Sequence, residues 1–390
     1  MKKKILILTA IPNFDFNNKH SAVAAYLMSI KKNLEVDGYE VMLSHPISSS
    51  SSATDSAKTS SNPLKSIVKG ISKSVYQSLS DSVYFANQAK LQEELLSKEK
   101  PDHIIEFLTY GSEIGAALKA KFNVPLLVIY DSPIAQQYRE MHGAYSVFLK
   151  KIEKNEQVSV MAADDIICYS EPVKRYLESK HELQAKFHIW PTIIWEKMTT
   201  RDKSQDSSDS IDIGFFGSFL KWHKVELLVR VFDSISQEFP DLHLHLVGYG
   251  AEWENIKKQV ESLSCKNRIH LPGFIDEEAL RQLKNTIDIG LMPGSNWYGS
   301  PLKIFEYAWL KIPVIAANTP TIAYLFEHEK DLLLIDPDHE FESLKSHFRK
   351  ILTDKDFSNM LGLNLYKNIA EHYSKEKYYA LFSNIVANKQ

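Results

Sequence analysis

The stretch Tyr298–Ala308, YGSPLKIFEYA, sets a lysine and a glutamate three residues apart, Lys303 and Glu306, behind a turn of small residues. Ser300 and Pro301 suit a helix start, because serine caps and proline is favoured at the first helical position. A helix start offers free N–H groups and a partial positive charge, which attract phosphate. Gly299 lets backbone approach a ligand closely. Beyond Leu302, Lys303 adds a full positive charge, and Glu306 follows one turn later on the same side. A carboxylate repels phosphate but suits the paired hydroxyls of a ribose. Phosphate at the loop and ribose at the glutamate together describe a nucleoside diphosphate. The plain alternative from spacing alone is a capped helix carrying an ordinary Lys–Glu pair.

Three further stretches have the form strand, turn, helix. IDIGFFGSFLKWHKVELL, Ile211 to Leu228, ends an apolar run at Gly217 and Ser218. Its loop holds Lys221, His223 and Lys224, side chains able to hold a pyrophosphate. LHLVGYGAEWENI carries Gly248 and Gly250, a single Gly-x-Gly that lacks the third glycine of a dinucleotide fingerprint. RIHLPGFIDEEAL places Gly273 and Phe274 at a turn whose backbone groups could read a nucleobase.

Such loops need a scaffold with strand ends on one side. Short apolar runs predict strands at Ile5–Thr9, Glu40–Ser44, His103–Phe107, Leu126–Tyr130 and Asp165–Tyr169. The second half adds Asp212–Phe216, His243–Val247, Ile269–Leu271, Ile287–Met292, Val314–Ala316 and Leu332–Ile335. Amphipathic stretches fill the gaps as helices. Continuous apolar strands imply burial on both faces and hence a parallel sheet, and the alternation implies βαβ units. The expected fold class is α/β, with two doubly wound, Rossmann-like domains and ligands bound at strand C-terminal ends. TTRDKSQDSSDS, residues 199–210, reads as the linker between a domain over 1–198 and another over 211–372.

Length and composition bound the rest. The chain has 390 residues, enough for two or three domains, with 44% hydrophobic and 24% charged residues, as in a globular protein. A net charge of −3 gives no reason to expect nucleic acid as a partner. Two cysteines are too few for a disulfide framework and suit a reducing cytosol. The basic start MKKKILILT is too short in its apolar run for a signal peptide and reads as a first strand. No run reaches the ~18 apolar residues of a membrane span. The segment 48–61, SSSSSATDS at its core, reads as a disordered excursion. It leads into residues 62–79, where Lys65, Lys69 and Lys73 share one helical face and Leu64, Ile67, Val68 and Ile71 another. A helix covering the core with a solvated face is one reading; a basic amphipathic helix of this kind can also lie peripherally on an anionic membrane surface, the inner face of the cell membrane. No His/Cys cluster has metal-ligand spacing, and no metal or cofactor is expected.

In order, these segments resemble those of the retaining glycosyltransferases of family 4, glycosyl transferases group 1, which have the GT-B fold of two facing Rossmann-like domains. SPLK-x-x-EY followed by PVIA is the most specific part, similar to the family's donor-binding helix and next strand. The resemblance implies a metal-independent hexosyltransferase that moves a sugar from a UDP- or GDP-sugar to an acceptor hydroxyl with retention, for cell-surface glycan or glycoconjugate synthesis. Glu306 would bind the donor ribose, and Gly299, Ser300, Pro301, Leu302 and Lys303 would surround the diphosphate and sugar. It also implies that the last helix, within 373–390, packs on the first domain. Two positions depart from the family. Tyr298 stands where many members have the first glutamate of an E-x7-E pattern, and Ser218 and His223 take the places of an Arg and a Lys.

The first half resembles the family less. Its first loop, IPNFDFNNKHSAVAAYL, has no glycine and contributes Asn18 and His20 as acceptor candidates. Glu106 and Tyr110 from EFLTYGSE, Asp131 from VIYDSP, and His142 complete that set, with Asp131 the catalytic candidate beside Lys303 and Glu306. The acceptor is open among a glycan, a lipid-linked sugar and a protein glycan. Two other classes fit the two-domain plan: a nucleotide-sugar 2-epimerase, whose acidic set is missing, and a non-catalytic nucleotide-sugar-binding protein.

Overall fold

The computed structural model describes residues 2–11, 13–18, 21–46, 73–98, 100–142, 147–193 and 210–387. Among the described residues twelve strands form two sheets, the eleven expected apolar runs and one more. β1 (Lys4–Thr9), β2 (Glu40–Ser44), β3 (His103–Phe107), β4 (Leu126–Tyr130), β5 (Asp165–Cys168) and β6 (Lys186–Ile189) make the first. β7 (Ile211–Phe216), β8 (Leu242–Val247), β9 (Ile269–Gly273), β10 (Ile289–Met292), β11 (Val314–Ala317) and β12 (Leu333–Ile335) make the second. All pairings within the two sheets are parallel. β3 and β4 are buried along their whole length, as strands covered by helices on both faces must be.

The first sheet runs β2-β1-β3-β4-β5-β6 and the second β12-β11-β10-β7-β8-β9. In each, the order reverses at one place: between β1 and β3, and between β7 and β10. Ligands bind beyond the strand C-termini at such a reversal, because the flanking connections leave in opposite directions and open a crevice. The loops after β7 and β10 hold Gly217–Lys224 and the approach to Lys303.

The chain divides into two compact units. One comprises Met1–Tyr169, Val173–Trp190 and Tyr379–Gln390; the other comprises Ser170–Pro172 and Pro191–Tyr378. In the first, the Asn33 amide donates to the Tyr379 carbonyl (3.2 Å) and to the Ser383 hydroxyl (3.2 Å), tying the last helix, Lys375–Ala387, to the helix Ala22–Val36. The linker expected over 199–210 lies, up to residue 209, outside the described residues. So do the serine-rich segment and the basic stretch up to residue 72, beyond which the chain enters the helix Lys73–Ser97.

The observed elements differ in places from the sequence-based expectation. β6 and the helices Ile134–His142 and Lys355–His372 are additional.

Candidate functional site

The helix Leu302–Trp309 is the platform of the site. Ile304, Phe305, Tyr307 and Ala308 are buried, so Lys303 and Glu306 must point the other way. The Tyr307 hydroxyl donates to the Gly214 carbonyl (3.0 Å), locking the helix to β7. Gly290 on β10 makes this docking possible, since a Cβ there would sit 2.4 Å from the Tyr307 ring.

Lys303 extends across the end of β7. A Cβ on Gly217 would lie 2.5 Å from its Cε and 3.0 Å from its Nζ, and Nζ stands 5.4 Å from the centre of the Phe215 ring. Gly217 has φ +151 and Gly248 φ +142, both favouring glycine. A Cβ on Gly248 would fall 1.9 Å from the Gly217 carbonyl oxygen, so the loops after β7 and β8 meet backbone on backbone. Phe219 N–H donates to Tyr249 O (3.0 Å) and Glu252 N–H to Phe219 O (2.9 Å). Gly250 lies against Phe219 in this contact, and Gly273 O accepts from Gly248 N–H (2.9 Å). Beside this floor Tyr249 and Phe274 are exposed, at 60% and 68%.

The turn Lys221–His223 stands over the same place. His223 Nδ1 lies 2.5 Å from the Ser218 carbonyl oxygen; a carbonyl only accepts, so Nδ1 carries the proton and Nε2 a lone pair. Burial, then the Lys303 cation, holds His223 down at about 4, so it is neutral at pH 7. Burial, with a smaller push from Lys284, brings Lys303 down to about 8, against the pull of Glu306. Among the described residues Lys303 has no ion-pair partner.

Several sequence-predicted residues sit otherwise than expected. Glu306 pairs with Lys284 of the helix Glu277–Thr286, not with Lys303. Ser300 does not cap: the helix begins at Leu302 with Pro301 at its cap position, and the Ser300 hydroxyl accepts from Thr192 N–H (3.0 Å). Lys224, the residue before the helix Val225–Ile235, pairs with Glu340. Tyr298 is 2% exposed and its hydroxyl accepts from Asn296 (2.9 Å), so its ring belongs to the interior. Lys221 and Ser218 are exposed, and Gly299 is half-buried on the loop before the helix. Lys284 was missed, since it reads as an ordinary solvent-side helix residue; so was Gly294, whose Cβ would lie 2.1 Å from the Trp222 carbonyl oxygen.

In the first unit, Asp131 follows β4 and is pushed up to about 6 by burial, while Ser132 donates to it (3.1 Å). Tyr110 stacks on Tyr84 with ring centres 4.2 Å apart, and His142 lies 4.7 Å from the Tyr138 ring, which in turn is 5.2 Å from Tyr110. Asn18 is exposed before the helix Ala22–Val36; His20 lies outside the described residues. Glu106, the other acceptor candidate, lies in the interior of the unit. It is fully buried, accepting from the Ser112 hydroxyl and from Gly115 N–H (3.2 Å), where it fastens the start of the helix Ile114–Phe122.

Residues 196–368 match the family model described as Glycosyl transferases group 1. That span holds every residue of the site around Lys303. An uncharacterized glycosyltransferase of Haemophilus influenzae is 24% identical over 130 residues, 33% of this chain and 36% of that protein; the chain thus matches about a third of its curated relative's length. Among solved structures, sucrose-phosphate synthase from Thermosynechococcus elongatus aligns with TM-score 0.72 at 18% identity, covering 99% of both chains. Anabaena HepE in complex with UDP aligns at 0.68 and 15%, covering 100% of both. WaaG, a glycosyltransferase involved in lipopolysaccharide biosynthesis, aligns at 0.68 and 12%, covering 99% of both. At these identities the likeness establishes the fold, which is GT-B. Among the described residues no group of three or more His, Cys, Asp or Glu side chains could hold a metal ion, and no helix is long and apolar enough to cross a membrane.

Proposed function

We propose that the protein is a glycosyltransferase that passes a sugar from a nucleoside-diphosphate sugar, UDP- or GDP-linked, to an acceptor hydroxyl of a glycan or glycoconjugate, with retention at the anomeric carbon. The observation that carries this reading is Lys303, without an ion-pair partner among the described residues, laid over the glycine floor at Gly217, one turn from Glu306, inside the segment matched by the group 1 family. In the reaction the bond between the anomeric carbon and the diphosphate oxygen breaks and a bond to the acceptor oxygen forms. Negative charge grows on the leaving diphosphate. Lys303 and the 221–223 turn face that charge, and preorganised groups of this kind typically contribute ~100–1000-fold each in rate. Glu306 takes the ribose hydroxyls, and Tyr249 and Phe274 offer aromatic surface to the base. In the first unit we assign Asp131, half-protonated near pH 6 by its burial, to the acceptor hydroxyl.

The test is thermal denaturation with UDP, GDP, ADP and their sugar conjugates, on wild type and Glu306→Ala, followed by release of free nucleotide from the conjugate that binds. A ligand at ~1,000 times its Kd stabilises by about 4 kcal/mol. One nucleotide should raise the melting temperature in wild type and not in the variant; if none does, the reading fails.

The interior position of Tyr298, where the family pattern has an acidic side chain, favours a second reading, a nucleotide-sugar-binding protein without turnover. Binding without release of nucleotide in the presence of a broad acceptor mixture would select it.

A further inference from the structure

Two cations and one anion share the face of the Leu302–Trp309 helix, and they are paired in an unexpected way. A lysine and a glutamate three residues apart on a helix ordinarily reach each other. Here Glu306 is bonded instead to Lys284, twenty-two residues earlier in the chain, on a helix none of whose residues is buried. Despite that exposed helix, the Lys284 side chain is only 12% exposed and that of Glu306 20%. The Lys284 ammonium also stands 5.8 Å from the centre of the Phe216 ring, the last residue of β7. Lys303 is left with Gly217 beneath it and a ring beside it, and no anion within ion-pair reach among the described residues.

We propose that Lys284 is a positioning residue for anion binding: it neutralises Glu306 and holds that carboxylate, so that Lys303 keeps its charge for a phosphate at Gly217. The inference rests on the reading of this place as a diphosphate site and deepens it. A poorly hydrated carboxylate needs a cation. Without Lys284, the nearest candidate on the same helix is Lys303. Capture of Lys303 by Glu306 would draw its ammonium off the glycine floor and cancel the one net positive charge of the three. A carboxylate left unpaired would instead repel the incoming phosphate. Either way, anion affinity falls although no residue in contact with the anion has changed. Of the other basic groups nearby, His223 is neutral, Lys224 is engaged by Glu340, and Lys221 is exposed to solvent, where its charge is screened.

The charge argument makes a rescue possible that a merely structural role would not allow. Titration calorimetry with inorganic pyrophosphate, which has no ribose, reads the phosphate part alone; UDP is run beside it. Lys284→Met should weaken pyrophosphate binding by at least about tenfold, whereas Lys284→Arg should stay within about threefold of wild type. Adding Glu306→Gln to Lys284→Met should restore pyrophosphate affinity to within about threefold of wild type, because the carboxylate that captures or repels is gone. Lys284→Gln, which keeps a hydrogen bond to Glu306 without the charge, is carried in parallel should the methionine variant melt early, and should show the same loss. Unchanged affinity in the folded variant, or no rescue by Glu306→Gln, overturns the proposal while leaving the diphosphate site intact. A wild type that binds neither pyrophosphate nor UDP overturns both.

Discussion

Lys303 lies across Gly217 so closely that one added carbon on the glycine would sit 2.5 Å from the lysine Cε. The contact sets the height at which the ammonium stands above the end of β7. Gly217→Ala should therefore displace Lys303 and weaken UDP binding by about tenfold or more, together with a stability loss of ~1–2 kcal/mol from its φ of +151. Calorimetric titration beside chemical denaturation separates the two effects. A variant that loses stability but binds UDP normally would refute the link.

Lys303 should reveal its function by being costly to the fold. Its folded pKa is about 8, below the ordinary lysine value of 10.5. Between those values the unfolded chain binds more protons, so stability rises with pH from about 8 to 10.5 and the cost of the buried charge is fully present below 8. Lys303→Met should raise stability at pH 7 by roughly 1–3 kcal/mol and lower turnover by ~100–1000-fold. It should also flatten the stability profile above pH 8, as urea titrations at pH 7, 8.5 and 10 would read. UDP affinity of the wild type should decline as pH rises through 8.

His223 is the internal reporter of that charge. Its pKa of about 4 owes its depression first to burial and next to Lys303. In Lys303→Met the imidazole should titrate closer to 6.5, as should wild type with pyrophosphate bound, a shift that nuclear magnetic resonance of the ring protons would follow. Stability from this group is present above the unfolded value of 6.5 and is lost as pH falls toward 4. An unmoved titration in the variant would mean that Lys303 is not held near the ring.

Glu106 works with the opposite sign. Burial raises it to about 7 against an ordinary 4.5, with Ser112 and Gly115 pulling it back. Between 4.5 and 7 the folded state binds more protons, so this group's contribution is full below 4.5 and is lost as pH rises through 7. Glu106→Ala should destabilise by about 2–4 kcal/mol through the amide and hydroxyl left unpaired, with little effect on nucleotide binding. Glu106→Gln should remove its part of the pH dependence between 4.5 and 7. A Glu106→Gln variant of full stability that fails only in transfer would return Glu106 to the acceptor site.

The strands were legible because they are buried on both faces and so read as unbroken apolar runs; β3 and β4 match their expected bounds residue for residue. β6, KFHI, escaped because it is a half-exposed sheet edge with little apolar content. The helix Lys355–His372 did carry a signal, Leu361, Leu365 and Ile369 at four-residue spacing, diluted by the asparagines and lysines between them. In the site, the glycine loops and the Lys303/Glu306 face could be read from local spacing. What could not be read was pairing at long range. Lys284 reaching Glu306, Lys224 reaching Glu340 and Ser300 accepting from Thr192 depend on how the elements pack, and nothing in residues three or four apart encodes them.

The backbone-on-backbone meeting of the loops at Gly217, Gly248 and Gly250 also divides the site into parts that can and cannot change. Where two main chains touch, no larger side chain can be introduced, so a diphosphate bound on this floor as proposed would meet a surface closed to tuning. The rings of Tyr249 and Phe274 are exposed beside that floor, and Tyr249 joins the loop contact through its backbone carbonyl and not through its ring. If the base lies against those rings as proposed, single substitutions there should change which nucleotide binds best, and an engineer wishing to change the donor would begin with those two side chains.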